Sequence, residues 1–89
     1  MTAMRGGVID EMHQMAKQWS AQAGQLRQLT NSLNSSTANS QAIWSGPGAD
    51  KFRSEWQQCR AAFEKMATTL DDGSQAITKY ANNIQAATA

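Results

Sequence analysis

Few side chains in this sequence have the type and spacing that catalysis or metal binding requires. His13 is the only histidine and Cys59 the only cysteine. Neither has a second histidine or cysteine at metal-ligand spacing. We therefore expect His13 to be solvated or partly packed and Cys59 to be a small buried apolar residue. A single cysteine also excludes a disulfide framework within the chain.

The neighbouring acids Asp71 and Asp72 are the next candidates, as a carboxylate pair. Adjacent residues on a helix point about 100° apart, and no further acid follows at three or four residues. We interpret the pair as a solvated bend rather than as general acid and base. Serine, histidine and aspartate all occur, but a helical hairpin has no cleft in which a triad is preorganised. The sequence therefore predicts no enzymatic activity, no cofactor and no metal.

The length and the net charge of the chain limit which domain organisations and which binding partners are possible. The chain has 89 residues and a net charge of +1, which predicts one small domain over residues 1–89 and gives no electrostatic case for nucleic acid or an anionic membrane surface. No apolar run approaches the roughly 18 to 20 residues of a transmembrane helix. The first seven residues lack the basic region and apolar core of a cleavable signal peptide.

The elements that position the side chains are organised around the segment Trp44-Ser45-Gly46-Pro47-Gly48. Gly46 can adopt a positive φ, and Pro47 suits the first position of a new helix. Asp50 then falls in the first turn, where the helix dipole favours a carboxylate. The segment predicts a turn at 44–47 between a helix of about 8–43 and a helix of about 48–86.

Apolar residues on both sides of this turn recur in alternating steps of three and four, which is the heptad pattern of packed helices. Asp10 and Glu11 suit a first turn, residues 34–40 predict a weak but continuous helix, and Gly73 allows a neighbour to approach closely. Six alanines flank the pattern: Ala16, Ala23, Ala62, Ala67, Ala76 and Ala81. The predicted seam, which serves the hairpin or a dimer, consists of Met12, Met15, Trp19, Leu26, Leu29, Leu33, Phe52, Trp56, Cys59, Phe63, Met66, Leu70, Ile77, Tyr80 and Ile84.

The sequence thus predicts an all-α fold, an antiparallel helix-turn-helix hairpin. Two helices give large side chains such as Trp19 and Phe63 too little cover, because each seam residue meets only one facing helix. We therefore expect two hairpins to pair as a dimeric four-helix bundle.

At this point the chain resembles a known family, the WXG family of small early-secreted-antigen-like proteins of type VII secretion. The resemblance rests on the length, the two amphipathic helices and Trp44-Ser45-Gly46 at the midpoint turn. It implies a hairpin that dimerises antiparallel, is exported folded by a membrane ATPase from a Gram-positive or actinobacterial cell, needs no cofactor, and acts as a secreted effector or as an escort for a partner.

The family also implies an export signal, Tyr-x-x-x-Asp/Glu, beyond the second helix. The best match here is Tyr80-Ala81-Asn82-Asn83-Ile84, with isoleucine in the place of the acid. The chain therefore resembles the half of a heterodimer that lacks the signal, which favours a heterodimer slightly over a homodimer. Tyr80 also lies on the predicted seam, where burial is sufficient to explain it.

Three alternatives stay open. Trp44 is a turn residue that packs on the second helix, part of an export recognition surface at the turn with Gly46, or both. The protein as a whole could instead be membrane-active, with amphipathic helices that bury their seams in lipid, although its polar faces are rich in glutamine and not strongly basic. It could also be an intracellular helical adaptor that is not exported.

Overall fold

The computed structural model is a hairpin of two long helices, as the sequence predicts. It describes residues 2–88 and the side chains of residues 7–87. Helix α1 spans Thr2–Asn39, a 3₁₀ turn spans Ser40–Ala42, and helix α2 spans Pro47–Thr88. The hairpin is a rod of 65 × 15 × 13 Å. Within the described residues, neither helix has the length of apolar chain needed to cross a membrane.

The ends of α1 differ from the prediction. It begins at Thr2 rather than near residue 8, because two glycines at 6 and 7 cost helix stability but do not clash with the preceding turn as proline does. Asp10 and Glu11 therefore do not lie in the first turn. At the other end the α-helix stops at Asn39 and tightens into the 3₁₀ turn, a common ending for an α-helix.

The turn itself forms as its residues predict. The amide N–H groups of Ile43 and Trp44 both donate to the Ser40 carbonyl, at 3.1 and 2.8 Å. Gly46 has a φ of 109°, in the region that favours glycine. Pro47 is the first residue of α2, and Asp50 lies in its first turn.

Helix α2 runs without interruption past Asp71, Asp72 and Gly73. The helix of about 48–86 that the sequence predicts therefore continues through the two acids rather than bending there. The neighbouring Trp19 ring explains why residue 73 is a glycine. A Cβ at this position would lie 3.3 Å from Cε3 of Trp19, so the absence of a side chain lets the Trp19 ring approach the backbone of α2. An ion pair accommodates one of the two acids in the helix: the Asp71 carboxylate lies 2.6 Å from the guanidinium of Arg27 on α1.

Most of the side chains that the two helices bury are small. On α1 the buried residues recur every seven positions, and on α2 two of the alanines expected beside the seam are completely covered. Because these side chains are short, the helices can approach closely, and no large side chain among the described residues is fully buried. We call these buried residues the hairpin interface: Ile9, Ala16, Ala23 and Thr30 of α1, and Ala49, Trp56, Ala67 and Ala81 of α2.

Candidate functional site: an exposed apolar face and the Trp-Ser-Gly turn

The hairpin leaves many large apolar side chains uncovered. Their exposed fractions run from 39% for Leu33 to 89% for Ile43, whereas the hairpin interface is at most 7% exposed. Soluble proteins seldom leave so many large apolar groups together in water unless they bind something. We call these residues, with the exposed Cys59, the exposed apolar face: Val8, Met15, Leu29, Leu33, Ile43, Phe52, Cys59, Met66 and Tyr80.

The rotation of the helices places these residues on one side of the hairpin. On α1, Val8 and Met15 directly precede Ile9 and Ala16 of the hairpin interface, and on α2 Met66 directly precedes Ala67. One residue turns the helix by 100°, so both exposed rows lie a quarter turn from the contact. Because the helices run in opposite directions, equal rotations about their own axes bring both rows to the same side. A shallow apolar groove lined by Leu26, Met66 and Leu70 joins the two rows there.

Half-buried side chains lie between the exposed rows and the hairpin interface. They include Met12, Trp19 and Leu26 on α1 and Phe63, Leu70, Ile77 and Ile84 on α2. Trp56 is the best covered of the aromatic residues: its ring centre lies 6.3 Å from that of Phe63, and its Nε1 donates to Oδ1 of Asn34 at 3.2 Å. These residues can contact both their own hairpin and a partner laid on the exposed apolar face.

The predicted seam therefore combined two surfaces that the structure separates. In the single hairpin the side chain of Cys59 is exposed, so the expected burial of Cys59 would have to come from a partner. Tyr80 is 59% exposed, so packing within the hairpin does not account for it. The heptad pattern located the apolar stripe but not the edge that faces the second helix, since Ala, Ile and Met count equally in such a pattern. The other seam residues that the hairpin leaves exposed are Met15, Leu29, Leu33, Phe52 and Met66.

Trp44 is held at the turn by Arg53 of α2. The Arg53 guanidinium donates to the Trp44 carbonyl at 2.5 Å and to the Ser40 hydroxyl at 3.2 Å, and it lies 6.0 Å from the centre of the Trp44 ring. The centre of the Phe52 ring lies 5.7 Å from the centre of the Trp44 ring. Trp44 thus packs on the start of α2, yet it remains 45% exposed.

In the part of the chain whose side chains the structure describes, the polar groups form no second candidate site. His13 is half-buried in a shallow groove between the helices, beside Lys17 and Ser74, and the Ser74 hydroxyl donates to the Ala16 carbonyl at 2.7 Å. Among the described residues, no group of three or more His, Cys, Asp or Glu side chains is placed to hold a metal ion. Asp71 is engaged by Arg27, so the two acids do not act as a pair.

Comparison with known proteins agrees with this architecture. The model of the WXG100 family, described as proteins of 100 residues with WXG, matches residues 8–88. The chain is 25% identical to Protein YukE of Bacillus subtilis over 76 residues, which cover 85% of this chain and 78% of YukE. A crystal structure of EsxA from Geobacillus thermodenitrificans superposes with a TM-score of 0.83 at 25% identity, covering 89% of this chain and 88% of EsxA. With a hairpin of this length and Trp44-Ser45-Gly46 at its turn, the chain belongs to the WXG100 family of type VII secretion substrates.

Proposed function

We propose that this protein is a non-enzymatic substrate of a type VII secretion machine, exported as a folded dimer. Outside the cell it acts as an effector or as an escort for a partner. The observation that carries this proposal is the exposed apolar face, which runs along both helices of a hairpin whose own interface consists mostly of small residues.

The exposed apolar face supports a dimer on physical grounds. Its side chains lie at heptad spacing on two antiparallel helices, so a second hairpin can lay its own rows against them as helices do in a four-helix bundle. The half-buried residues between the rows would then become the centre of that bundle. A flat lipid surface would leave the same side chains without such interdigitated packing.

In this proposal the export ATPase recognises the turn, with Trp44 as the residue that it contacts. Ile84 stands where the family's signal has an acid, and no other tyrosine occurs in these 89 residues. Trp44 is anchored through its backbone by Arg53 and still presents about half of its side chain to solvent. A rigidly held, partly exposed tryptophan is the kind of anchor that protein interfaces favour.

Export can be tested in a Gram-positive host that carries a type VII system, with and without its membrane ATPase. An epitope-tagged chain is measured in the culture medium and in the cells, with a cytosolic enzyme as the marker of lysis. We expect the chain in the medium only when the ATPase is present. Equal amounts in the medium of both strains, or retention in both, would contradict the proposal.

Two substitutions separate the dimer surface from general folding. Met66→Lys places a charge on the exposed apolar face without touching the hairpin interface, and Thr68→Lys places the same charge on the opposite, exposed side of α2. We expect Met66→Lys to abolish dimerisation and export while Thr68→Lys preserves both. Leakage of phosphatidylcholine–phosphatidylglycerol vesicles by the wild-type protein, together with retention in the cell, would favour the membrane-active alternative.

A further inference from the structure

We infer, on the basis of the proposed function, that Ile43 and Trp44 form a recognition surface at the tip of the hairpin. We call these two residues the tip patch. It docks end-on in an uncharged apolar pocket of the export ATPase. Ile43 supplies a contact that the hairpin itself does not use, and Arg53 positions Trp44 for the same contact.

Ile43 is the most exposed large apolar residue of the described chain. It is 89% exposed, whereas the other large apolar residues of the exposed apolar face are at most 59% exposed. Helix α1 ends at Asn39 and the 3₁₀ turn Ser40–Ala42 follows, so the helix rotation that aligns the α1 row does not extend to Ile43. A partner packed along the sides of the two helices therefore does not account for this exposure.

Hydrogen bonds fix the backbone that carries both side chains of the tip patch. The N–H groups of Ile43 and Trp44 both donate to the Ser40 carbonyl, at 3.1 and 2.8 Å. The Trp44 carbonyl accepts a hydrogen bond from the Arg53 guanidinium at 2.5 Å. A backbone held in this way presents the two side chains in one arrangement, so little conformational freedom is lost when a partner binds them.

Arg53 acts on the Trp44 ring as well as on its carbonyl. The guanidinium lies 6.0 Å from the ring centre and also donates to the Ser40 hydroxyl at 3.2 Å. A planar guanidinium can donate to two acceptors while it lies near a ring, which the ammonium of lysine does less well. Because the Arg53 side chain is only 17% exposed, we assign it the positioning of Trp44 rather than a contact with the partner.

The sequence around the turn indicates the chemistry of the pocket. Residues 28–49 contain no lysine, arginine, histidine, aspartate or glutamate. A partner can therefore enclose the tip patch without removing an unpaired charge from water, which is costly. Asp50 and Lys51 follow in the first turn of α2, with side chains 81% and 77% exposed. The partner that fits is a pocket lined by apolar and aromatic residues, with any charges at its rim.

A protein pocket fits the tip patch better than a lipid surface does. Attachment to an anionic membrane is favoured by basic side chains clustered beside the apolar ones. Here Lys51 lies in the sequence between Asp50 and Glu55, and Arg53 is engaged within the hairpin. The rod measures only 15 × 13 Å across, so its tip is narrow enough to enter a cleft.

The substitution Ile43→Ser tests the contact in the export assay. Its matched control is Gln41→Ser, at an exposed position two residues earlier. We expect Ile43→Ser to lower the amount of tagged chain in the medium by about tenfold or more, and Gln41→Ser to leave it unchanged. Because Ile43 is 89% exposed, its replacement should change neither the urea midpoint nor the molar mass in solution, and both are measured.

Fluorine NMR tests the positioning role of Arg53 independently of export. The chain has three tryptophans, so labelling with 5-fluorotryptophan gives three signals, and Trp44→Phe identifies that of Trp44. Arg53→Met keeps the apolar stem but removes the donors. We expect it to move the Trp44 signal and not that of Trp19, and we expect Arg53→Lys to move the Trp44 signal less.

Export of the same variants separates positioning from folding. We expect Arg53→Met to lower export about two- to tenfold and Arg53→Lys to restore part of the loss. Gly24→Ala, with no atom within 4 Å of the new Cβ, stabilises the helix far from the turn. Added to Arg53→Met, it should raise the urea midpoint without restoring export.

Each outcome decides the inference. Export of the wild type and of Gln41→Ser, with retention of Ile43→Ser, supports it. Equal export of Ile43→Ser and the wild type overturns it and keeps the proposed function, whereas retention of the wild type overturns both. A changed urea midpoint or molar mass in Ile43→Ser would also overturn it, because Ile43 would then have a structural role.

Two further results would contradict parts of this assignment. Sedimentation of the wild type with phosphatidylcholine–phosphatidylglycerol vesicles, lost in Ile43→Ser, would overturn the protein pocket in favour of a membrane. A Trp44 signal that Arg53→Met does not move would overturn the positioning role of Arg53.

Discussion

Replacing Ala23 with leucine tests the division between the two surfaces most directly. Ala23 is 0% exposed at the hairpin interface, where a longer side chain has no space unless the helices separate. Overpacking of this kind costs about 1–3 kcal/mol, and we expect the upper part of that range because Ala23 and, on α2, Ala67 are both completely covered. The matched control is Ala21→Leu, two residues away on an exposed position of the same helix.

Alanine and leucine have nearly equal helix propensities, so the two substitutions differ mainly in burial. We expect Ala23→Leu to lower the free energy of unfolding by about 2–3 kcal/mol and Ala21→Leu to change it by less than about 0.5 kcal/mol. The assay is urea unfolding followed by circular dichroism at one fixed protein concentration, because a dimer makes stability depend on concentration. If the two variants unfold within about 0.5 kcal/mol of each other, the small-residue interface described above is wrong.

Two further predictions concern the turn and the glycines. Arg53→Ala removes the donor that holds the Trp44 carbonyl and should cost about 1.5–3 kcal/mol, measured by urea unfolding. A loss no greater than that of Lys79→Ala, at an exposed position of the same helix, would contradict this role. Gly24→Ala, with no atom within 4 Å of the new Cβ, should stabilise the helix by about 1 kcal/mol. Gly73→Ala should gain less, because its Cβ meets the Trp19 ring at 3.3 Å, and equal thermal shifts for the two glycines would refute that contact.

The hairpin interface and the exposed apolar face have different roles in this thin protein. A hairpin interface of alanines lets the helices approach closely, but it buries little apolar area for each residue. The large side chains lie a quarter turn away, where the hairpin leaves them exposed. In the proposed dimer a second hairpin covers them, so that stability and assembly are coupled and substitutions such as Met66→Lys are expected to act on both.

The turn shows how local rules alone can determine a structure. Gly46 takes the positive φ, Pro47 begins α2, and Asp50 lies in the first turn, as their chemistry predicts. These preferences act within a few residues of one another, so no information about the rest of the chain is needed. Arg53, in contrast, was not predicted to hold Trp44, because nothing in the spacing of nine residues across a turn specifies a side chain folding back.

The sequence by itself determined the helical hairpin, the place of its turn and the stripe of apolar residues, because helix periodicity and turn chemistry are local properties. It placed Cys59 and Tyr80 on that stripe but did not show that the single hairpin leaves both of them exposed. Only the tertiary structure decided which edge of the stripe faces the second helix. That choice depends on how closely the two backbones approach, and the approach is set jointly by Ala16, Ala23 and Ala67 on opposite helices. The large residues were then left outward for a partner.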